Sequence, residues 1–510
     1  MWLRKRFNET INNIAGGIAM KINANMSAVL TNNQLRRTEN KLTAAMERLS
    51  SGLKLNSAED SPAGMAISNK MKAQIDGLDR AENNAGDGVS VLQIADGALN
   101  EVHSMLQRMR ELSVQAANGT NSLSDRESIQ REMEQLSQEI NRISADTEYN
   151  TKPLLDGSSD IRTYADHVTR VQVSDYVEPG DYSLVIEKAP KKAQMEFPMV
   201  DEHGNTIDPT GNAPMGLKAS FSINDQGVKI TEDMTGSQIY EAVRNAVEQA
   251  GASVTQNGTK AVVTTDKAGA AAHLAITTSE DTQALVSAIT GIPMADFTVD
   301  PDTKIATSKT QYGEDVDITI DTDSRFTTTA SVKANGNRIE ITDQNGVSIK
   351  FLLDEGYEKK LDATGAILED GKINFQVTDI GAMTIQLGAN EHQIIDIRIP
   401  SVSSEALYLD TIDVTVSGGS EEAMTILDEA VAAVSSARSR IGASQNRLEY
   451  AQGSLAETQE NMTSAYSTLK DTDMAEEMTE YTQQSILNQA AISVLSQANE
   501  IPQQVLSLLG

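Results

Sequence analysis

The chain has 510 residues, no cysteine and a net charge of −31, because 42 Lys and Arg face 73 Asp and Glu. Such an acidic chain is poorly suited to bind nucleic acids or anionic membranes, since both need cationic groups on the protein. The absence of cysteine excludes disulfides, Cys-ligated zinc, iron–sulfur clusters and thiol catalysis. At roughly 150 residues per domain, the length predicts three to four domains.

The first predicted element is a helix near residues 24–50. Leu35, Leu42 and Leu49 recur there every seven residues, which places them on one helix face. The basic residues at positions 4–6 are not followed by an apolar run, so we expect no cleavable signal peptide. The whole chain lacks a stretch of about 18 apolar residues, and we expect no membrane insertion.

A long helix is predicted to begin at Pro62, because Ser61 is a good capping residue and proline fits the first helical position. It should end near Asn118-Gly119, a typical stop signal. Its apolar and small residues form the a and d rows of a heptad seam. These rows are Leu78, Ala85, Leu92, Leu99 and Leu106, and, three residues later, Ala81, Gly88, Ala95, Val102, Met109 and Ala116. Ser124 and Glu127 have the spacing of a capping box that opens a shorter helix.

The middle of the chain has a different composition, rich in Thr, Val, Asp and Gly, with the apolar alternation of strands. The strand candidates are residues 182–186, 317–320, 338–341 and 394–399, and residues 236–250 predict a helix between strands. We therefore expect one or two small, acidic domains here, either β-rich or α+β.

A second long helix is predicted after Gly418-Gly419-Ser420, since Glu421 and Glu422 would stabilise the positive end of its dipole. Its seven-residue row contains Leu427, Val434, Ile441, Leu448, Leu455, Met462 and Leu469. Alanine-rich seams allow two helices to approach closely, so we expect the two long helices to pair directly. The alternative is that each seam faces a different neighbour.

Both chain ends carry apolar residues that no predicted domain core covers, and such faces imply partners. The last helix has a broad apolar face, and a further apolar tail follows Pro502. The residues that we expect to mediate assembly are Leu35, Leu42, Leu49, Leu487, Val494, Leu495, Val505, Leu506, Leu508 and Leu509.

Helical ends around a β-rich middle predict an α+β fold: a long antiparallel helical coiled-coil bundle formed by both chain ends, with an inserted β-rich outer region. Residues 20–56 plus 471–510 would form a terminal helical core domain. Residues 57–180 plus 383–470 would form a helical bundle domain with small β elements, and residues 181–382 one or more inserted, variable outer domains. Residues 1–19 would precede these domains as an extension at the start site.

Several sequence blocks make the chain recognisable as a member of a known family. Lys21-Ile22-Asn23-Ala24-Asn25 is followed in order by blocks at 49–60, 63–67 and 107–121, and by blocks at 492–499 and 502–509 near the end. In these blocks the chain resembles bacterial flagellin, the subunit of the flagellar filament. The resemblance covers about residues 20–157 and 383–510, and residues 221–278 resemble a small insertion motif common in flagellins.

The resemblance implies a structural protein that self-assembles into an extracellular flagellar filament for motility, after unfolded export by the flagellar type III apparatus. The implied partners are further copies of the chain, hook-associated and cap proteins, a flagellar export chaperone and a Toll-like receptor of animal hosts. No cofactor is implied. Flagellins usually begin near the position of Met20, so we expect residues 1–19 to come from a misassigned gene start; the alternative is a true N-terminal extension.

The sequence shows no motif of an enzyme or a metal site. Its five histidines are isolated, and it contains no His-Glu-x-x-His, P-loop, Gly-x-Ser-x-Gly or Rossmann pattern. Two alternatives to a filament subunit stay open. One is a hook–filament junction protein, which shares the terminal helices, and the other is a flagellin scaffold that displays an enzymatic or adhesive insert.

The resemblance also implies a receptor-binding face on the first long helix. Its residues would be Gln107, Arg108, Arg110, Glu111 and Leu112, with Glu132 on the following helix. Arg108 and Leu112 are four residues apart and so share one helix face. We expect Arg108 to offer its guanidinium to the receptor and Leu112 to be an exposed apolar anchor beside it.

Overall fold

The computed structural model describes residues 25–509 except for positions 175, 202, 258–259, 302, 322–323, 328, 344–345, 355–356, 358–371 and 379. The expected start-site extension, residues 1–19, lies outside the described residues. The described residues form two compact units. The first contains those of 1–84, 387–393 and 451–510, and the second those of 85–386 and 394–450.

Long helices dominate the two ends of the described chain. The α-helices are α1 Met26–Ser51, α2 Pro62–Ala116, α3 Leu123–Asp146, α4 Gly236–Gln249, α5 Gln283–Thr290, α6 Gly419–Lys470 and α7 Met474–Leu509. With 55 residues, α2 is about 80 Å long at 1.5 Å per residue. The helix predicted at 236–250 is confirmed as α4.

Local capping chemistry determines where these helices begin. The Ser61 hydroxyl accepts a hydrogen bond from the Gly64 N–H at 3.1 Å, as expected for the cap of α2. The capping box of α3 is Ser122 with Asp125, whose side chains each accept from the backbone N–H of the other. The predicted box of Ser124 and Glu127 is wrong. Ser122 and Asp125 have the same spacing and can pair with the free N–H groups of the first turn in the same way. Capping at Ser122 also lets the helix begin two residues earlier.

Helices α2 and α6 pair directly within the second unit. Asp96 accepts from the Arg438 guanidinium at 2.9 Å, and the Ser113 hydroxyl donates to the Ser420 carbonyl at 2.8 Å. Residue numbers rise along α2 while they fall along α6, so the two helices are antiparallel. Their seam residues Leu92, Leu99, Leu106, Leu427, Val434, Ile441 and Leu448 are fully buried. The predicted antiparallel bundle of both chain ends is therefore confirmed.

In the first unit, α1 packs against α7. This pair is also antiparallel, because Arg48 at the end of α1 binds Glu477 at the start of α7, at 2.9 Å. The segments next to these helices are joined through the backbone. The Lys54 N–H donates to the Lys470 carbonyl at 2.7 Å, and the Thr472 N–H donates to the Gly52 carbonyl at 3.0 Å.

Short strands fill most of the chain between α3 and α6. In the first half they are β1 Glu148–Tyr149, β2 Lys152–Pro153, β3 Thr163–Ala165, β4 Val168–Val173, β5 Gly180–Lys188, β6 Lys192–Phe197, β7 Ala219–Ile223, β8 Gln226–Ile230, β9 Ala252–Asn257, β10 Lys260–Ala268 and β11 His273–Leu274. In the second half they are β12 Ile276–Ser279, β13 Phe297–Val299, β14 Ile305–Ser308, β15 Gln311–Tyr312, β16 Asp317–Ile320, β17 Ser331–Asn335, β18 Arg338–Thr342, β19 Ser348–Leu353, β20 Lys372–Val377, β21 Met383–Gln386 and β22 Ile394–Ile397. Each of the four predicted strands corresponds to one of these.

The strands build two hydrophobic cores. The first β core, at residues 193–306, combines the sheets β6-β10-β9 and β13-β14-β12-β7-β8 with the buried faces of α4 and α5. The second β core, at residues 177–377, lies between the four-stranded sheets β16-β5-β20-β3 and β17-β18-β19-β4. Phe351 and Phe375 meet in that core with ring centroids 4.8 Å apart.

The second β core extends beyond the expected insertion at 181–382. Strand β3 pairs with β20, and β4 pairs with β19. Residues 163–173 therefore belong to the sheets, although the sequence division placed them in the helical bundle. Strands this short carry little periodic signal, and only pairing with residues about 180–210 positions later defines them.

We predict that Leu99→Ala lowers the free energy of unfolding by about 3 kcal/mol, since it leaves a cavity in the closed seam of α2 and α6. The matched control is Ile94→Ala, on the same helix but 41% exposed, which should cost under about 1 kcal/mol. Urea denaturation followed by circular dichroism measures both. Equal destabilisation by the two variants would contradict the packing described here.

Candidate functional surfaces

The fully buried side chains of the seam between α1 and α7 are small or polar, and half-buried leucines lie beside them. Its buried residues are Thr38, Ala45, Glu477, Gln484 and Ala498. Buried charged groups need partners, and Glu477 has one in Arg48. Among the described residues, no large apolar side chain is fully buried between these two helices.

Many large apolar residues of these two helices are exposed outside the seam. Leu30 is 65% exposed on α1, and Ile486 is 61% exposed on α7. The exposed set is Met26, Val29, Leu30 and Met46 on α1, and Met474, Met478, Ile486, Leu487, Ile492, Val494 and Ile501 on α7. So many large apolar residues exposed on one helix pair indicate a surface that needs a partner.

The residues predicted for assembly divide into three groups. Leu487 and Val494 are exposed, at 44% and 51%. Leu35, Leu42, Leu49 and Leu495 are half-buried. The side chains of Val505, Leu506, Leu508 and Leu509 lie outside the described residues. Sequence periodicity missed Val29, Leu30 and Met46, because the row that repeats every seven residues marks the half-buried side of α1.

A charged cluster lies on the outer surface of α2 and α3. Arg108 donates from Nη2 and Nε to Glu132, at 2.8 and 3.2 Å, and from Nη1 to Glu111, at 3.3 Å. The hydrogen bond to Glu132, followed by that to Glu111, raises the pKa of Arg108. About half of the Arg108 and Glu132 side chains remains exposed, so both can be reached by another protein.

The same surface continues onto α6. Arg110 forms an ion pair with Asp428, a residue that the sequence analysis did not select. Its position next to the seam residue Leu427 could have indicated it once the pairing of α2 with α6 was assumed. Gln107 is exposed, and its side-chain nitrogen lies 2.9 Å from Nε2 of His103.

Leu112 is not the exposed anchor that the sequence suggested, because it is only 1% exposed. At this level α2 has two helical neighbours in the second unit: α6, which Ser113 contacts, and α3, which Arg108 contacts. The i to i+4 spacing correctly places Arg108 and Leu112 on one side of the helix. The spacing does not show that neighbouring helices cover this side of α2 at Leu112.

The described residues contain no group of three or more His, Cys, Asp or Glu that could hold a metal ion. Within the same part of the chain, none of the helices is both long and apolar enough to span a membrane. The candidate functional surfaces are the apolar faces of α1 and α7 and the charged cluster around Arg108, because large apolar or hydrogen-bonded charged side chains are exposed there.

Comparison with known proteins identifies the family. Residues 22–160 match the model of the bacterial flagellin N-terminal helical region, and residues 424–509 match that of the C-terminal helical region. A flagellin of Salmonella rubislaw is 32% identical over 96% of this chain and 100% of its own length. A flagellin of Clostridium tyrobutyricum is 33% identical over 94% of this chain and 99% of its own. The chain therefore belongs to the bacterial flagellin family, the structural subunits of the extracellular flagellar filament.

Proposed function

We propose that this flagellin self-assembles through the exposed apolar faces of α1 and α7. The observation that carries the proposal is the arrangement of this helix pair, which buries Thr38 and Glu477 but exposes Leu30 and Ile486. Burial of apolar surface gives roughly 25 cal/mol per Å², so covering these faces with neighbouring subunits is strongly favourable. A head-to-tail contact that does not close into a ring produces a helical filament.

We further propose that the chain is exported unfolded through the flagellar type III apparatus with the help of an export chaperone. The complete absence of cysteine supports this, since a chain without thiols cannot form a crosslink before or during passage. Hook-associated and cap proteins would then contact the assembled subunits.

The filament subunit is favoured over the two alternatives. Relatives named flagellins align with 94–96% of this chain and with 99–100% of their own lengths. Alignment over the whole length includes the β-rich middle, where an enzymatic or adhesive insert would be located. A deletion of residues 163–377, which removes every strand of both β cores, would test for a display scaffold, because such a scaffold would still form filaments but lose a binding or hydrolytic activity.

We predict that Leu487→Ser combined with Val494→Ser raises the critical concentration for assembly by at least about tenfold. Each buried Leu or Val side chain contributes on the order of 1.5–3 kcal/mol, and about 1.4 kcal/mol corresponds to a factor of ten. Sedimentation of filaments after salt-induced assembly measures this concentration. Gln489→Ser, an exposed polar change on the same helix, is the control. An unchanged critical concentration in the double variant would rule out this face as the assembly surface.

We also predict that helical content per subunit rises on assembly. The seam of α1 and α7 leaves its leucines only half-buried, and isolated helices are marginal in water. Neighbouring subunits would offset the ordering cost of both helices. Circular dichroism of monomer and filament at equal subunit concentration tests this, and equal helicity in the two states would refute it.

As a second function, we propose that the charged cluster around Arg108 is recognised by a Toll-like receptor of animal hosts. The specific observation in its favour is that Arg108, Glu111 and Glu132 are joined by hydrogen bonds and remain exposed. Arg110 extends this surface through Asp428, and Gln107 borders it. Leu112 would contribute only by supporting the helix from inside, since it is buried.

We predict that Arg108→Ala weakens binding of monomer to the receptor ectodomain by roughly tenfold or more, since hydrogen bonds to charged groups contribute about 1.5–3 kcal/mol. Arg131→Ala removes an exposed arginine of α3 whose described hydrogen bonds stay within its own helix, and it should leave binding unchanged. Surface plasmon resonance measures both affinities. If the Arg108 variant binds as tightly as the parent, the receptor assignment is wrong.

A further inference from the structure

Pro502 lies inside α7 and removes one hydrogen bond from it. Proline has no backbone N–H, so it cannot donate to the carbonyl four residues earlier, which belongs to Ala498. Ala498 is only 5% exposed. A buried carbonyl without a donor is costly and is rare in folded proteins.

The side chain of Asn25 supplies the missing donor from the other helix. Its Nδ2 donates to the Ala498 carbonyl at 2.7 Å. Its Oδ1 accepts from the Ala28 N–H at 3.1 Å and from the Ser27 hydroxyl at 2.7 Å, and so caps the start of α1. The reverse orientation of the Asn25 amide would place its oxygen against the Ala498 carbonyl and its NH₂ against the Ala28 N–H. These two partners therefore determine the amide orientation.

We propose that Asn25 is a positioning residue for assembly, which fixes the alignment of α1 with α7 by binding the one interior carbonyl that Pro502 leaves free. This inference rests on the proposed assembly through these two helices. In a regular helix each interior carbonyl already accepts a bond from the N–H four residues later. At Ala498 an asparagine on α1 therefore meets a carbonyl that lacks its usual intrahelical donor. One turn away along α7 the carbonyl already accepts an intrahelical bond, so a second donor satisfies no missing partner there.

The opposite end of the helix pair agrees with this alignment. The contact between Arg48 and Glu477 joins the end of α1 to the start of α7, as Asn25 and Ala498 join the start of α1 to the end of α7. In this alignment Val29 of α1 lies at about the same level as Val494 of α7, and both are exposed. Sliding α7 by one turn would displace these residues by about 5.4 Å and would change the apolar surface offered to the next subunit.

A double-mutant cycle with Asn25→Ser and Pro502→Ala tests the proposal in the full-length chain. Serine still caps α1 but cannot reach Ala498 with an amide, whereas alanine at 502 restores the missing N–H within α7. We expect Asn25→Ser alone to raise the critical concentration for assembly about tenfold. In the Pro502→Ala background the same change should alter it less than about twofold, because the carbonyl no longer needs Asn25.

Hydrogen exchange in the filaments gives the second readout, and amides near Ala498 should lose protection in Asn25→Ser and regain it in the double variant. Asn33→Ser, the same change at an exposed position of α1, is the matched control and should change neither measurement. If Asn25→Ser fails to assemble at all, recovery of filaments by Pro502→Ala supports the proposal.

Failure of the double variant to recover, or an equal effect of Asn25→Ser in both backgrounds, overturns the role of Asn25. Either result leaves the proposed function standing as long as the parent chain assembles. If Leu487→Ser with Val494→Ser leaves assembly unchanged, the proposed assembly surface fails instead, whatever the cycle shows.

Discussion

The composition of the seam between α1 and α7 is the constraint on which the functional behaviour of this chain depends. A helix pair in a globular protein normally places its large apolar side chains inside. Here Ala45 and Ala498 allow close approach, Thr38 and Gln484 fill polar positions, and Glu477 is neutralised by Arg48. Many large apolar residues consequently remain exposed, and in the proposed assembly other subunits would cover them and so release their hydrophobic free energy.

The second unit buries large apolar side chains within itself, in the seam of α2 and α6 and in the two β cores. The seam of α2 and α6 is closed by leucines and β-branched residues, and each β core is buried between sheets or between sheets and helices. Ion pairs then connect both β cores to the first turns of α6. Lys267 binds Glu422 at 2.6 Å, and Arg338 binds Glu429 while its guanidinium lies 4.3 Å from the centre of the Tyr408 ring. These contacts couple the inserted strands to α6 without using the exposed apolar faces of α1 and α7.

The sequence predicted the elements that follow from local or periodic rules. The heptad rows indicated α2 and α6, and Ser61 with Pro62 indicated where α2 begins. The alternation at 182–186 and 338–341 indicated β5 and β18. These predictions succeed because the apolar periodicity of an element reflects its own helical or extended geometry and can be read without knowing its distant contacts.

Other features depend on contacts between distant residues, and the sequence did not contain enough information to predict them. Leu112 is buried because both α3 and α6 lie beside that part of α2. Asp428 contributes to the charged surface only because α6 pairs with α2 in one particular alignment. Strands β3 and β4 form because β20 and β19 return to pair with them. Two Ser-x-x-acid patterns occur at the start of α3, at Ser122 and at Ser124, and spacing alone could not choose between them.

The terminal helices break several local rules together, which distinguishes them from the rest of the described chain. A proline lies inside α7, a glutamate is buried between α1 and α7, and large apolar residues face outward on both helices. Departures from local rules tend to concentrate where function requires them. The proline is tolerated because Asn25 takes over the carbonyl that it leaves unpaired, and the glutamate because Arg48 binds it. Asn25 and Arg48 thus compensate the proline and the glutamate, whereas the exposed apolar surface has no compensation within the described chain. In the proposed assembly, this surface is the one that another subunit would cover.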